Sequence, residues 1–152
     1  MEIETTYPPN FDLIKTFLPA VAEDKHAIFC YGKKIYNPHS VAVTPDRELH
    51  EAVHAEQQGK DPDAWYQKYL TDPEFRLKQE LEAYGRQYSF IKKNYNEMED
   101  EARKRQKTVH ASKAVEWGLE KMAEALASDT YGKMLNHNEA RSKIRNFAKY
   151  QT

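Results

Sequence analysis

Two histidines stand four residues apart in the stretch "TPDRELHEAVHAEQQG", which covers residues 44–59. On a helix, His50 and His54 lie one turn apart on the same face, so both imidazoles can reach one metal ion. Glu51 is rotated by about 100° from His50, which leaves its carboxylate free to accept a proton from a water held by that ion. The H-E-x-x-H pattern therefore contains the groups needed for hydrolysis by a metal-activated water. A chance match in a chain of this composition has an expectation of roughly 0.02.

A catalytic zinc usually takes three protein ligands, so two histidines need a third partner. The helix predicted from Pro73 contains "RLKQELEAYGRQ", residues 76–87. Glu80 lies beside the apolar stripe of this helix, whereas Glu82 lies about 200° further round and is expected to be more exposed. Glu80 is therefore the candidate third ligand. The alternative is that Glu80 is a boundary residue whose carboxylate lies in water.

The order "HEAVH" and then "ELEAY" on a later helix resembles the gluzincin zinc metallopeptidases. The resemblance implies that His50, His54 and Glu80 bind Zn²⁺ and that Glu51 is the general base. It also implies an edge strand beside the metal-binding helix, which holds an extended substrate. The resemblance covers about residues 26–92. The stretches "HAEQQG" and "ELEAYGRQ" are most similar to minimal zincin-like proteins encoded by phages and bacteria.

The chain departs from the gluzincin pattern at one position. Many gluzincins have an aspartate four residues after the glutamate ligand, and this aspartate hydrogen-bonds a ligand histidine. Tyr84 stands at that position here, so it is the candidate partner of a ligand histidine, and its hydroxyl is a weaker partner than a carboxylate. The resemblance implies a peptidase that cleaves peptide bonds with a metal-activated water, and such an enzyme needs a group that stabilises the oxyanion. The candidates are Tyr131, which we would test first, and Tyr84, Tyr88 and His137.

The elements that must position these residues form an α+β arrangement, a zincin-like domain with a small β unit before its helices. A short helix is predicted from Asn10 to before Pro19, followed by a hairpin at Gly32 in "HAIFCYGKKIYNP" and a third extended piece at "SVAVT". Three helices are predicted after Thr44, Asp61 and Asp72, because each of these residues precedes a proline that suits the first helical position.

The last third of the chain is also predicted to be helical, but it carries no motif that indicates a function. Apolar residues from Val109 to Leu126 form one stripe, and "SDTYGK" interrupts it. Asn136 and Glu139 have the spacing of a capping box for a final helix. We treat residues 1–152 as one domain, with residues 93–152 helical and unassigned.

Composition limits the partners. The net charge of −1 gives no basic field for nucleic acid, and no apolar run approaches the roughly 20 residues of a membrane helix. The N-terminus lacks an apolar signal core, and the single cysteine, Cys30, excludes an intramolecular disulfide. These features predict a cytoplasmic protein, or a virion-associated one if a phage encodes it, that acts on a peptide or protein. The histidines His26, His39 and His110 are interpreted as ordinary surface or packing residues.

Two other interpretations remain open from the sequence. One is a zincin-like binding module or virion component that has weak or no activity and has a structural metal or none. The other is a helical interaction domain in which the "HEAVH" pattern is coincidental. Neither the oligomeric state nor the specificity can be inferred from the residues.

Overall fold

A computed structural model describes residues 1–149, which fold as an α+β protein with six α-helices and one three-stranded sheet. Two short 3₁₀ turns complete the described part of the chain. The elements in chain order are β1 Glu2–Glu4, α1 Phe11–Phe17, a 3₁₀ turn Pro19–Ala22, β2 Phe29–Tyr31, β3 Lys34–Tyr36, α2 Pro45–Gln58, α3 Pro62–Thr71, α4 Pro73–Lys104, α5 Ala111–Leu126, a 3₁₀ turn Asp129–Tyr131 and α6 His137–Lys149. Within residues 1–149, no helix has the length and apolar character needed to cross a membrane.

The sheet has the order β1-β3-β2, so β2 is an edge strand. The predicted hairpin is present, because β2 and β3 pair antiparallel. Gly32 is the first residue of the two-residue turn between them, and its φ of 61° is positive, as hairpin turns of this length require. The prediction of an extended piece at "SVAVT" was wrong. The third strand is β1, which pairs parallel with β3. The side chain of Asn37 instead bonds both backbone groups of Val41, which removes them from any strand ladder.

The proline-marked helices begin where the sequence predicts. Asp61 caps α3 by accepting the backbone N–H of Ala64 at 3.0 Å, and Asp72 caps α4 by accepting that of Phe75 at 3.1 Å. Thr44 occupies the N-cap position of α2, although its hydroxyl makes no capping bond. The helix starts therefore follow local chemistry that the sequence displays directly.

The capping box predicted for the last helix is also present. The side-chain oxygen of Asn136 accepts the backbone N–H of Glu139 at 2.9 Å, and the Glu139 carboxylate accepts that of Asn136 at 3.3 Å. This reciprocal pair fixes the start of α6.

Helix α4 is the central element, because α2, α3, α5 and α6 all pack against it. Two clusters of buried apolar side chains form the core. The first lies among α1, β2 and α3 and consists of Ile14, Leu18, Val21, Phe29, Trp65, Tyr66, Tyr69 and Leu70. The second lies among α4, α5 and α6 and consists of Tyr84, Tyr88, Val115, Leu119, Met122, Ala123, Leu126, Ala140, Ile144 and Ala148.

Gly85 provides a test of how closely α4 and α6 approach each other. A Cβ atom at this position would lie 2.2 Å from Cδ1 of Phe147, so the ring or the helix would have to move. We expect Gly85→Ala to lower the free energy of unfolding by about 1–3 kcal/mol, despite the better helix propensity of alanine.

Urea unfolding of Gly85→Ala beside Gly118→Ala measures this effect. Gly118 is the matched control, because a Cβ there meets only Ile91, at 3.6 Å, and the variant should gain up to about 1 kcal/mol. A Gly85→Ala protein as stable as the wild type would contradict the packing described here.

Candidate metal centre

Helices α2 and α4 bring His50, His54 and Glu80 together in the interior. Both histidines lie on the face of α2 that packs on α4, and Glu80 faces them from α4 with 1% of its surface exposed. One ligand atom from each residue lies within 4.8 Å of the others. The alternative of a boundary residue with its carboxylate in water is therefore excluded for Glu80, whereas Glu82 is partly exposed, as predicted.

The spacing of these atoms resembles that of ligands on one tetrahedral ion. The two Nε2 atoms of His50 and His54 lie 3.1 Å apart, and each is 3.4 Å from one carboxylate oxygen of Glu80. Two ligands that are each about 2.05 Å from a tetrahedral zinc are about 3.3 Å apart. The side chains are therefore already arranged to bind one small cation.

Two glutamines determine which nitrogen of each histidine carries the proton. The amide oxygen of Gln87 lies 3.0 Å from Nδ1 of His50, and that of Gln57 lies 2.8 Å from Nδ1 of His54. An amide oxygen can only accept, so each Nδ1 is the donor. The opposite Nε2 atoms then present lone pairs to the centre, which is the form that binds metal.

The glutamine amides are themselves oriented by their partners. The amide nitrogen of Gln87 donates to the Asp46 carboxylate at 2.7 Å. The amide nitrogen of Gln57 donates at 3.1 Å both to the carbonyl of Gln79 and to the carboxylate of Glu82. Because each amide nitrogen faces an acceptor, each amide oxygen is turned toward its histidine.

The centre consequently contains more acceptors than donors. With both Nδ1 atoms protonated, the two Nε2 atoms and the Glu80 carboxylate all offer lone pairs to the same small space. Oε2 of Glu80 is buried and has no hydrogen-bond partner. A cation would satisfy all of these atoms at once, so the residues present fit a metal ion.

Without a metal, a proton on His54 supplies part of the positive charge that these acceptors attract. Burial works to lower the pKa of His54, but the Glu80 carboxylate overrides it and raises the pKa to about 9. Burial likewise works to raise the pKa of Glu80, but the two histidines hold it below its ordinary value. Tyr69 adds a third interaction, since its hydroxyl donates to Oε1 of Glu80 at 2.5 Å.

Proton release provides a test of this arrangement. The folded pKa of His54 is raised from 6.5 to about 9, so its proton stabilises the metal-free fold fully below pH 6.5, and this contribution is lost as the pH rises through about 9. Zinc must displace that proton, so its apparent affinity should rise about tenfold for each pH unit as the pH increases toward 9. Calorimetry at pH 7 in buffers of different ionisation enthalpy should show one proton released, and zinc uptake without proton release would refute the assignment.

Glu51 lies beside the centre rather than in it. Its side chain is buried and lines the same cavity of about 900 Å³ as the three ligand residues. Burial raises the pKa of Glu51 above its ordinary value, and the neighbouring histidines oppose that shift. A carboxylate held in this way beside a metal site is suited to accept a proton.

The tyrosines proposed for the oxyanion are placed differently from one another. The Tyr84 ring meets the His50 ring edge-on at 4.3 Å between centroids, and its hydroxyl bonds that of Tyr131 at 2.9 Å. Tyr84 and Tyr131 both line the cavity. Burial is the main influence that raises the pKa of Tyr131, and the charge of Glu80 adds to it, so this hydroxyl remains a proton donor. Tyr88 also belongs to the second apolar cluster, but unlike Tyr84 it does not line the cavity.

The remaining histidines are not part of the group formed by His50, His54 and Glu80. His137 faces Glu120 across 3.1 Å at the start of α6, and His39 lies 3.4 Å from the Tyr7 hydroxyl. His110 is exposed at the N-cap of α5, and His26 is exposed at the edge of the cavity. The sequence suggested that Tyr84 hydrogen-bonds a ligand histidine. The partner of His50 is Gln87 instead, and Tyr84 bonds Tyr131.

The edge strand β2 lies next to α2, the helix that carries both histidines. The Gln58 side chain at the end of α2 donates to the Cys30 carbonyl at 2.8 Å and accepts the Gly32 N–H at 2.7 Å. Tyr66 donates to the same Cys30 carbonyl at 2.7 Å. Residues 27–30 line the cavity along this edge. The strand is therefore fixed to the same helix that carries both histidines.

Sequence reasoning missed Gln57, Gln87 and Tyr69. Gln57 lies one helical turn after His54, and Gln87 lies two turns after Glu80, so helical spacing alone places both on the ligand faces. This spacing could have identified both glutamines from the sequence. No comparable signal exists for Tyr69, because its contact with Glu80 depends on how α3 packs against α4.

Gln87→Leu tests the tautomer assignment. The variant removes the acceptor at His50 Nδ1 and leaves Asp46 without its donor, so we expect zinc affinity to fall about 10–100-fold. Competition against a chromophoric chelator measures the change. Gln67→Leu, on the exposed side of α3, is the control and should bind zinc like the wild type. Equal affinity in the two variants would show that Gln87 does not orient the ligand.

The chain matches none of the family models, curated proteins or solved structures with which it was compared. The fold and site define it as an α+β protein with a buried His-His-Glu group that could hold a metal ion.

Proposed function

We propose that this chain is a zinc-dependent peptidase of the gluzincin type. The observation that carries the proposal is the convergence of Glu80 on His50 and His54, in a cavity that Glu51 also lines. Three protein ligands is the number that catalytic zinc sites usually have. When bound, zinc supplies Lewis-acid polarisation of a peptide carbonyl and of a water molecule.

The chain's own residues supply the proton transfers. Glu51 takes a proton from the attacking water as the new C–O bond forms at the peptide carbon. It then delivers that proton to the amide nitrogen as the C–N bond breaks, which gives a carboxylic acid and an amine. The hydroxyls of Tyr131 and Tyr84 line the cavity and bond each other at 2.9 Å, so one of their two protons is left to stabilise negative charge on the carbonyl oxygen.

The edge strand supports a peptide as the substrate. Strand β2 has a neighbour on one side only, and the residues along it line the cavity that contains the metal centre. An extended peptide can bond main-chain groups along such an edge, and here it would do so before Cys30, because the Cys30 carbonyl already accepts bonds from Gln58 and Tyr66. The peptide carbonyl would then be presented along α2, which carries both histidines and the general base.

Zinc titration combined with a peptidase assay tests the proposal. Purified protein, stripped of metal by a chelator, should bind one zinc ion and should cleave unfolded casein only after zinc is restored. Protein that binds no zinc would contradict both the metal centre and the peptidase. Protein that binds zinc but leaves casein intact would instead support the non-proteolytic zincin-like module.

A further inference from the structure

Trp117 has no role in the core. It lies on α5 with 67% of its surface exposed, the largest fraction among the large apolar side chains of the described residues. The buried side of the same helix contains Val115, Leu119 and Met122. Trp117 nevertheless lines the cavity that reaches the metal centre. An exposed tryptophan in the wall of a cavity is typical of a binding surface, where such residues supply much of the affinity.

Gly118, the next residue, is not explained by the fold. Its φ is not in the left-handed region, and alanine is preferred to glycine inside a helix. An added Cβ would make only ordinary contacts with Ile91, at 3.6 and 3.8 Å. Neither backbone geometry nor packing therefore requires glycine. Gly118 and Ala114 both line the cavity, and because neither carries more than a methyl group, this wall of it stays open.

The cavity extends along α4 from the metal centre to this wall. Glu80, Tyr84, Gln87 and Ile91 follow one another at three- and four-residue steps, and all of them line it. At 1.5 Å per residue, the distance from Glu80 to Ile91 along the helix axis is about 16 Å. An extended peptide covers that distance in about five residues. The space is longer than one amino acid needs and continuous with the site of the proposed chemistry.

On the basis of the proposed peptidase function, we propose that this part of the cavity is a substrate groove for an extended protein segment. The groove consists of Gln87, Ile91, Tyr95, Ala114, Trp117 and Gly118. Trp117 binds an apolar side chain, preferably aromatic, about five residues from the cleaved bond. The enzyme is then an endopeptidase that acts on unfolded or flexible segments, because a terminal dipeptide does not reach Trp117.

Peptide binding to the Glu51→Gln protein tests the groove without requiring turnover. The probes are two fluorescein-labelled Ser/Ala peptides of about fifteen residues, one with a central Phe and one with Ser in its place. Anisotropy with zinc-loaded protein should show about tenfold tighter binding of the Phe peptide. Adding Trp117→Ala should remove the preference, and adding Gly118→Leu should weaken both complexes. Met98→Ala is the matched control, since Met98 is 53% exposed and lies outside the groove.

The outcomes separate the groove from the peptidase. An unchanged Phe preference in the Trp117→Ala protein, with its melting temperature preserved, would overturn the groove. Zinc-dependent casein cleavage by otherwise wild-type protein that is insensitive to both Trp117→Ala and Gly118→Leu would also overturn it and leave the peptidase intact. Binding that depends on Trp117, without any cleavage of casein by the wild type, would support the groove and contradict the peptidase.

Discussion

Protein with Glu51→Gln is expected to bind zinc as the wild type does and to cleave peptides about a thousandfold more slowly. The amide has the shape of the carboxylate but cannot take a proton from water. The three ligand residues are unchanged, so zinc affinity should be retained. Casein cleavage and zinc titration on the same preparation measure the two effects.

Stability distinguishes this result from simple unfolding. Burial raises the pKa of Glu51, which means that the ionised side chain is less favourable in the folded protein than in water. The neutral amide should therefore leave the melting temperature unchanged or raise it. Glu56→Gln is the matched control, because Glu56 is exposed on the same helix and pairs with Arg86. Wild-type turnover by Glu51→Gln would remove Glu51 from the mechanism.

His54→Ala is expected to weaken zinc binding by about a thousandfold. One of three ligands is lost, and the remaining histidine and glutamate offer too few bonds for a stable site. Equilibrium competition with a chelator gives the affinity directly. Glu80→Gln should behave similarly, because the amide loses the negative charge that favours the cation.

Thermal unfolding gives a second readout of the same change. Zinc at about a thousand times the wild-type dissociation constant should stabilise the wild type by about 4 kcal/mol and the His54→Ala protein by only about 0.4 kcal/mol. His110→Ala is the control, because His110 is exposed at the start of α5. If the His54→Ala protein kept both its zinc affinity and the zinc-dependent rise in melting temperature, the site would have to be elsewhere.

Much of the local structure follows from the sequence, because the signals are short-range. The Asp-Pro pairs at Asp61 and Asp72 predict two helix starts, and each aspartate makes the expected capping bond. The periodic apolar residues of α4 and α5 predict their buried faces. The third strand was misassigned because Glu2–Glu4 is too short for a periodic signal, and its pairing with β3 crosses about 30 residues of chain.

At the site, the four-residue spacing of His50 and His54 is enough to place both on one face, because helical geometry puts residues four apart on the same side. The sequence also made Glu80 the candidate third ligand. The contact of Glu80 with the histidines could not be read from that spacing, because it depends on the packing of α4 on α2. The same packing brings Gln87 of α4 to Nδ1 of His50, and the Tyr84 hydroxyl meets that of Tyr131 from the second 3₁₀ turn. These contacts join residues on different elements, and no local pattern specifies such contacts.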